Sequence, residues 1–255
     1  VSAPFDQSAS AVRMDWGPSA AQVVRADLVV VVDVLSFTTA VTVAVGRGST
    51  VLPFAWRDER AVEHAAAHDA VLAVGRHEAG LPGAVGAPSL SPAGLLAGPV
   101  VPRLVLPSPN GSSISASLRA TGATVLAGCL RNASAVGRWL APRVRAGRTL
   151  AVVAAGERWP TDGSLRPALE DHLGAGAVLS ALRAAVGTSS WSPEAESAAD
   201  LFDVAGPRLV DRLHRCVGGR ELTAAGFADD VAVAADLDAS DVVPVLTDAG
   251  FVPAR

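Results

Sequence analysis

Leu28-Val29-Val30-Val31-Val32-Asp33-Val34-Leu35-Ser36-Phe37-Thr38-Thr39 is a short apolar run that ends on a carboxylate and passes into three hydroxyl residues. Its β-branched residues favour an extended chain, and unbroken hydrophobicity, rather than alternation, marks a strand buried on both faces. Outward from it, runs of the same kind recur at Thr50–Trp56, Val71–Val74, Val100–Leu106, Thr124–Leu126 and Thr149–Ala154. Between them lie segments of helical period: Thr38–Val45, Asp58–His68, Ser112–Ala120, Asn132–Leu140 and Leu165–Ala185. Strands alternating with helices predict an α/β fold.

Past residue 190 the pattern changes. Ser192-Pro193-Glu194 reads as an N-cap, a first-turn proline and an acidic first turn. A helix is expected through about Ala199 to Leu213, then Gly218-Gly219 and a second, shorter helix, with Val231–Ala234 and Val242–Val245 closing the chain. The expectation is a single unit over 1–255, or two lobes with a helical C-terminal part from about residue 190. Gly80–Pro99 is the longest stretch without periodicity, and a loop of that length is usually functional or mobile.

The chain has 255 residues, half of them hydrophobic, 18% charged, with a net charge of −4. That balance offers no basic footprint for nucleic acid, so none is expected as a partner. No run approaches the ~18 apolar residues of a membrane span, and no membrane partner is expected. Every cationic side chain is an arginine and there is no tyrosine. A P-loop lysine, a Schiff-base lysine, a Ser–Lys dyad and a tyrosine nucleophile or acid are therefore excluded. Cys129 and Cys216 stand far apart and give neither a disulfide framework nor a thiolate zinc site. The segment from Val1 to Asp6 lacks the basic and apolar regions of a signal peptide, and a cytoplasmic location is expected.

In parallel α/β sheets ligands bind beyond the carboxyl ends of strands, where helix N-termini offer free N–H groups. Asp33 at the first such end could hold a metal or act as base or nucleophile, while Ser36, Thr38 and Thr39 could cap the helix or cradle an anion. Asn110, Gly111 and Ser112 follow another strand and can form an anion nest. Arg131, next to Asn132 at a third helix start, offers a fork that suits an oxyanion. Glu170 and Asp171 border an apolar helix stripe, where a hard cation such as Mg²⁺ would offset their burial. Each segment alone also reads as an ordinary helix cap. Together they point to a small anionic, phosphorylated ligand and a divalent cation.

The same segments resemble the 2-phosphosulfolactate phosphatase (ComB-like) family. The resemblance rests on residues 31–39, Gly75-Arg76-His77-Glu78, Ser89-Leu90-Ser91-Pro92, Asn110-Gly111-Ser112, Gly128 through Asn132-Ala133, Leu169-Glu170-Asp171 with Gly174-Ala175-Gly176, and Asp241 to Val245, in order. It implies a layered αβα fold with a mostly parallel or mixed central sheet, Mg²⁺, and hydrolysis of 2-phosphosulfolactate to sulfolactate and phosphate in coenzyme M biosynthesis. The chain departs from the family pattern at Ser36-Phe37 and over Val85–Pro92, where the family's Asp and Asn are missing.

The expected site therefore has Asp33, Glu170 and Asp171 around one Mg²⁺. Ser36, Thr38, Thr39, Asn110, Gly111, Ser112 and Asn132 are placed around phosphate, with Asp33 and Arg131 as catalytic residues. Either water attacks phosphorus in line, or Asp33 attacks to give an aspartyl phosphate. The alternative is a non-catalytic binder of a small phosphorylated metabolite. A haloacid-dehalogenase-type phosphatase needs a second Asp two residues after the first, where this chain has Leu35. A nicotinamide enzyme is disfavoured because Gly80, Gly83 and Gly86 do not form G-x-G-x-x-G. The five histidines show no ligand spacing and read as structural or exposed, with His77 and Glu78 as exceptions beside the long loop. Trp159 is placed to line the pocket, and the apolar content makes a homodimer reasonable.

Overall fold

The computed structural model describes residues 4–23, 25–55, 58–81 and 87–255. Trp56, the expected end of one strand, and Gly83, Val85 and Gly86 of the aperiodic loop lie outside the described residues.

In chain order the elements are β1 (Val12–Trp16), α1 (Gly17–Val23), β2 (Leu28–Val32), α2 (Phe37–Gly46), β3 (Thr50–Phe54), α3 (Glu59–Ala67) and β4 (Val71–Leu72). They continue with α4 (Pro92–Ala97), β5 (Arg103–Pro107), α5 (Gly111–Arg119), β6 (Thr124–Gly128), α6 (Ala133–Arg145), β7 (Leu150–Ala154), β8 (Glu157–Arg158) and β9 (Leu165–Arg166). Helices α7 (Leu169–Val186), α8 (Pro193–Ala205), α9 (Leu209–Arg215), α10 (Val217–Ala224) and α11 (Ala228–Ala235) precede the hairpin β10 (Pro244–Thr247) and β11 (Gly250–Pro253).

Among the described residues one sheet runs β1-β7-β2-β6-β10-β11-β3-β5-β4. Strands β1, β7, β2 and β6 are parallel, and so are β3, β5 and β4. The hairpin separates these blocks through antiparallel steps on both sides, so the second block points opposite to the first along the sheet. The sheet is thus mixed, built from two parallel blocks.

Strand β2 shows why the sequence folds this way. Leu28, Val30 and Val32 join the core with Leu140 of α6 and Leu173 and Val178 of α7. Val29 and Val31 join the opposite face with Ile114 and Leu118 of α5 and Ala20 of α1. All five side chains are buried, as the period of two and the helices on both faces require. Each fully buried valine or leucine contributes roughly 1.5–3 kcal/mol. Helix α2 is buried from Phe37 to Val45 and packs with Val51, Leu104, Leu106 and Phe251, joining the second block to the first. On α7, a Cβ at Gly176 would collide with the Ala198 carbonyl, so glycine there lets α8 approach closely.

Four local expectations change. Leu165–Arg166 pairs with β8, and the following helix begins only at Leu169, because Pro167 restricts the residue before it. The helix expected from the Ser192 cap to about Leu213 divides into α8 and α9 at Gly206-Pro207. Val231–Ala234 lies inside α11. Strand β1, which lies outside the strands that the sequence predicts, pairs along its length with β7. No helix among the described residues is long and apolar enough to cross a membrane.

Candidate active site

Asp33 follows the last residue of β2 and is buried at 6% exposure. Its Oδ1 accepts the Phe37 N–H (3.1 Å) at the first turn of α2, and its Oδ2 accepts the Gly111 N–H (2.9 Å) at the first residue of α5. Two helix N-termini, one following each parallel block, thus converge on one carboxylate. The fit at Gly111 leaves no room for a side chain: a Cβ would sit 2.7 Å from Asp33 Oδ2 and 2.6 Å from Phe37 Cδ1.

The backbone around Asp33 is also fixed. Thr38 Oγ1 accepts the Asp33 N–H (2.9 Å) and donates to the Asp33 carbonyl (2.8 Å), while Thr39 Oγ1 donates to the Val34 carbonyl (2.8 Å). These hydroxyls, expected at a phosphate, close the turn between β2 and α2 instead. Ser36 is the N-cap of α2, and its Oγ accepts from Arg76 rather than from its own helix.

Asp171, in the first turn of α7, joins two strand ends. Its Oδ1 accepts the Val34 N–H after β2 (2.7 Å), and its Oδ2 accepts the Gly156 N–H after β7 (2.9 Å). Burial, followed by the charges of Asp33 and Glu170, pushes its carboxyl well above the usual range. Glu170 is buried beside Cys216 and Gly218 at the start of α10; burial and then the Glu170 charge raise the Cys216 thiol to about 12. Burial raises Asp33 to about 6 against the pull of the Gly111 and Phe37 N–H groups; Glu157 raises it further and Arg76 lowers it. Four acidic residues, Asp33, Glu157 and the adjacent Glu170 and Asp171, thus share one electrostatic neighbourhood.

Asn110 Nδ2 donates to Glu157 Oε1 (3.0 Å), and both residues line a cavity of about 260 Å³ with Pro18, Ser19 and Arg158. A separate cavity of about 310 Å³ is lined by Arg76. The remaining expected residues serve the scaffold or face elsewhere. Ser112 Oγ donates to the Phe54 carbonyl (2.8 Å), tying α5 to β3. Asn132 is fully buried, accepts the Cys129 N–H and donates to the Ala127 and Val242 carbonyls. Arg131 Nη1 donates to the Val233 carbonyl (2.8 Å) and pairs with Asp236 (3.0 Å), and no contact among the described residues joins it to Asp33. Trp159 is half-exposed near Arg166 and is not among the residues lining the cavity beside Glu157.

The guanidinium that acts on Asp33 is Arg76 of the Gly-Arg-His-Glu stretch, which is not among the residues that the strand ends predict. Its partners, like those of Glu157, lie far off in sequence, which hides the placement of both.

Among the described residues, no three His, Cys, Asp or Glu side chains form a preassembled cation site. Mg²⁺ commonly sits on one or two carboxylates, with phosphate oxygens and waters completing its shell. Crowded, mutually repelling carboxylates of the kind at Asp33, Asp171 and Glu170 fit that mode.

Comparison with known proteins agrees with the chemistry of these strand ends. The family model described as 2-phosphosulpholactate phosphatase matches residues 18–249. A protein of Gloeobacter violaceus (strain ATCC 29082 / PCC 7421), named probable 2-phosphosulfolactate phosphatase, is 32% identical over 150 residues. That match spans 59% of this chain and 58% of the relative's length.

Proposed function

The chain belongs to the 2-phosphosulpholactate phosphatase family, and on that premise we propose that it hydrolyses 2-phosphosulfolactate to sulfolactate and inorganic phosphate. The observation that carries this reading is Asp33, a buried carboxylate at a strand end fixed by two helix N-termini. A fixed carboxylate loses little freedom on reaction.

In the proposed reaction Asp33 accepts a proton from a water placed in line with the ester bond. The oxygen of that water bonds to phosphorus, the ester P–O bond breaks, and the leaving alkoxide takes the proton that Asp33 accepted to become the sulfolactate hydroxyl, which restores the carboxylate. Ser36, Asn110 and the N-terminal end of α5 at Gly111 border the phosphoryl group. Thr38, Thr39, Ser112, Asn132 and Asp171 hold the loops that carry these groups. Asp33, with Asp171 and Glu170 beside it, would hold a Mg²⁺ ion. Such an ion supplies charge neutralisation for the phosphoryl oxygens when bound.

The test is phosphate release from 2-phosphosulfolactate, with and without Mg²⁺. Turnover that needs the cation is expected. Tight binding of the ester without phosphate release would instead favour a non-catalytic binder. A burst of covalent phosphoenzyme would replace water with Asp33 as the attacking group.

A further inference from the structure

Resting on the phosphatase reading, we propose that Arg76 binds the second anionic group of the substrate, an oxyanion carried on the carbon next to the phosphorylated one. Residues 75–78 form a turn after β4, closed by the Gly75 N–H donating to Glu78 Oε2 (2.7 Å). Arg76 leaves this turn with its side chain only 14% exposed. Its Nε donates to Asp230 Oδ2 (2.8 Å), and its Nη2 donates to Ser36 Oγ. The Phe227 ring lies beside the guanidinium, with its centroid 5.9 Å from Cζ.

Asp230 is built to hold this arginine. Its side chain is 1% exposed, and its Oδ1 accepts from Ser91 Oγ and from the Ala93 N–H (3.1 Å). One carboxylate on α11 therefore ties the turn after β4 to the first turn of α4. A guanidinium has five N–H donors, and only two are engaged here. Nη1 has no hydrogen-bond partner among the described residues, and Arg76 lines the cavity of about 310 Å³ with Ser89, Ser91 and Phe227. A planar fork with an unused edge, fixed from behind by a buried acid, suits a carboxylate or sulfonate.

Chain connectivity and charge join Arg76 to Asp33. Ser36, which Arg76 contacts, directly precedes Phe37, whose N–H holds Asp33. The cavity that Asn110 lines presents both Glu157 and Arg158, whose charges offset each other, whereas the lining of the Arg76 cavity holds no carboxylate. With the phosphoryl group at Asp33, the oxyanion on the neighbouring carbon is then met by the free edge of Arg76.

The test compares wild type with Arg76→Met on three monoesters: 2-phosphosulfolactate, 2-phospholactate and p-nitrophenyl phosphate. Arg76→Met is expected to raise KM for 2-phosphosulfolactate roughly 10- to 150-fold more than it raises KM for p-nitrophenyl phosphate, the range for losing a charged hydrogen bond; the change on p-nitrophenyl phosphate reads the part that acts through Ser36 and Asp33 and is common to all three esters. An equal rise for 2-phospholactate assigns the carboxylate to Arg76, and an unchanged 2-phospholactate KM assigns the sulfonate. Equal losses on all three esters, or no loss on any, overturn the proposal. Should Arg76→Met lose its circular dichroism spectrum, Arg76→Lys takes its place under the same criteria. If wild type hydrolyses none of the esters, the phosphatase reading fails. Calorimetric titration with 3-sulfolactate then decides this proposal: tenfold weaker binding by the variant supports it, and equal or absent binding overturns it.

Discussion

The Gly111 N–H donates to Asp33 Oδ2 at 2.9 Å across 78 residues of sequence, joining the helix that follows β5 to the end of β2. The two strands belong to blocks that run in opposite directions along the sheet, and the hairpin β10–β11 separates them. One hydrogen bond thus records both how the blocks meet and how the central carboxylate is held.

Gly111→Ala tests that junction. The new Cβ would lie 2.7 Å from Asp33 Oδ2, so α5 or the carboxylate must shift. Phosphate release is expected to fall about 100-fold, the loss that a 1 Å misplacement produces, while the far-ultraviolet circular dichroism spectrum is kept. An unchanged kcat would show that the position of Asp33 against α5 does not matter.

Stability should depend on pH through Asp33. Its carboxyl stands at about 6 rather than 3.8, so the folded protein favours the neutral form. That contribution is complete below pH 3.8 and is lost as pH rises through 6, and Asp171 shifts in the same direction. The loss for Asp33 is about two pK units, or roughly 3 kcal/mol by pH 8. In urea titrations free of divalent cations, the unfolding free energy of Asp33→Asn minus that of wild type should rise by about this amount from pH 4 to pH 8. A difference that stays constant with pH would contradict the environment described for Asp33.

Asp171→Ala separates scaffold from chemistry. The substitution leaves the Val34 and Gly156 N–H groups without acceptors. Each buried unpaired donor costs about 1–3 kcal/mol. A loss of roughly 2–6 kcal/mol is expected by urea unfolding at pH 5, where relief of carboxylate repulsion is smallest. Stability equal to wild type at that pH would remove the clamp role.

Thr38→Val removes the hydroxyl that both donates to and accepts from the Asp33 backbone. It should destabilise the fold by about 1–3 kcal/mol and leave KM for the phosphate ester within about threefold. A large rise in KM with no loss of stability would mean that the hydroxyl meets substrate instead.

Much of this was readable from residues 28–39. An unbroken apolar run predicted a strand buried on both faces, and the acid followed by hydroxyls predicted a helix start. Strand β1 escaped notice because Arg13 and Asp15 interrupt its apolar residues; the Arg13 guanidinium is buried by donating to the Ser10 and Arg25 carbonyls. The break between α8 and α9 lies at Gly206-Pro207, which outweighs the helical period on either side of it. At the site, Asp33 and the glycine at the start of α5 could be read from strand ends. What the neighbours do with their polar atoms could not. Thr38, Ser112 and Asn132 look like free donors in sequence, yet each closes on backbone carbonyls supplied by the fold. Arg76 meets its acid 154 residues away, a pairing that no local pattern records.

The most direct measurement is the pH–rate profile of phosphate release from 2-phosphosulfolactate by wild type and by Asp33→Asn, with folding of both checked by circular dichroism. Wild type should show an acid limb in kcat/KM from protonation of the carboxylate, and the variant should lose that limb and about 100- to 10,000-fold in rate. A variant that turns over within tenfold of wild type and keeps the acid limb would contradict the assignment of Asp33 as the reacting carboxylate.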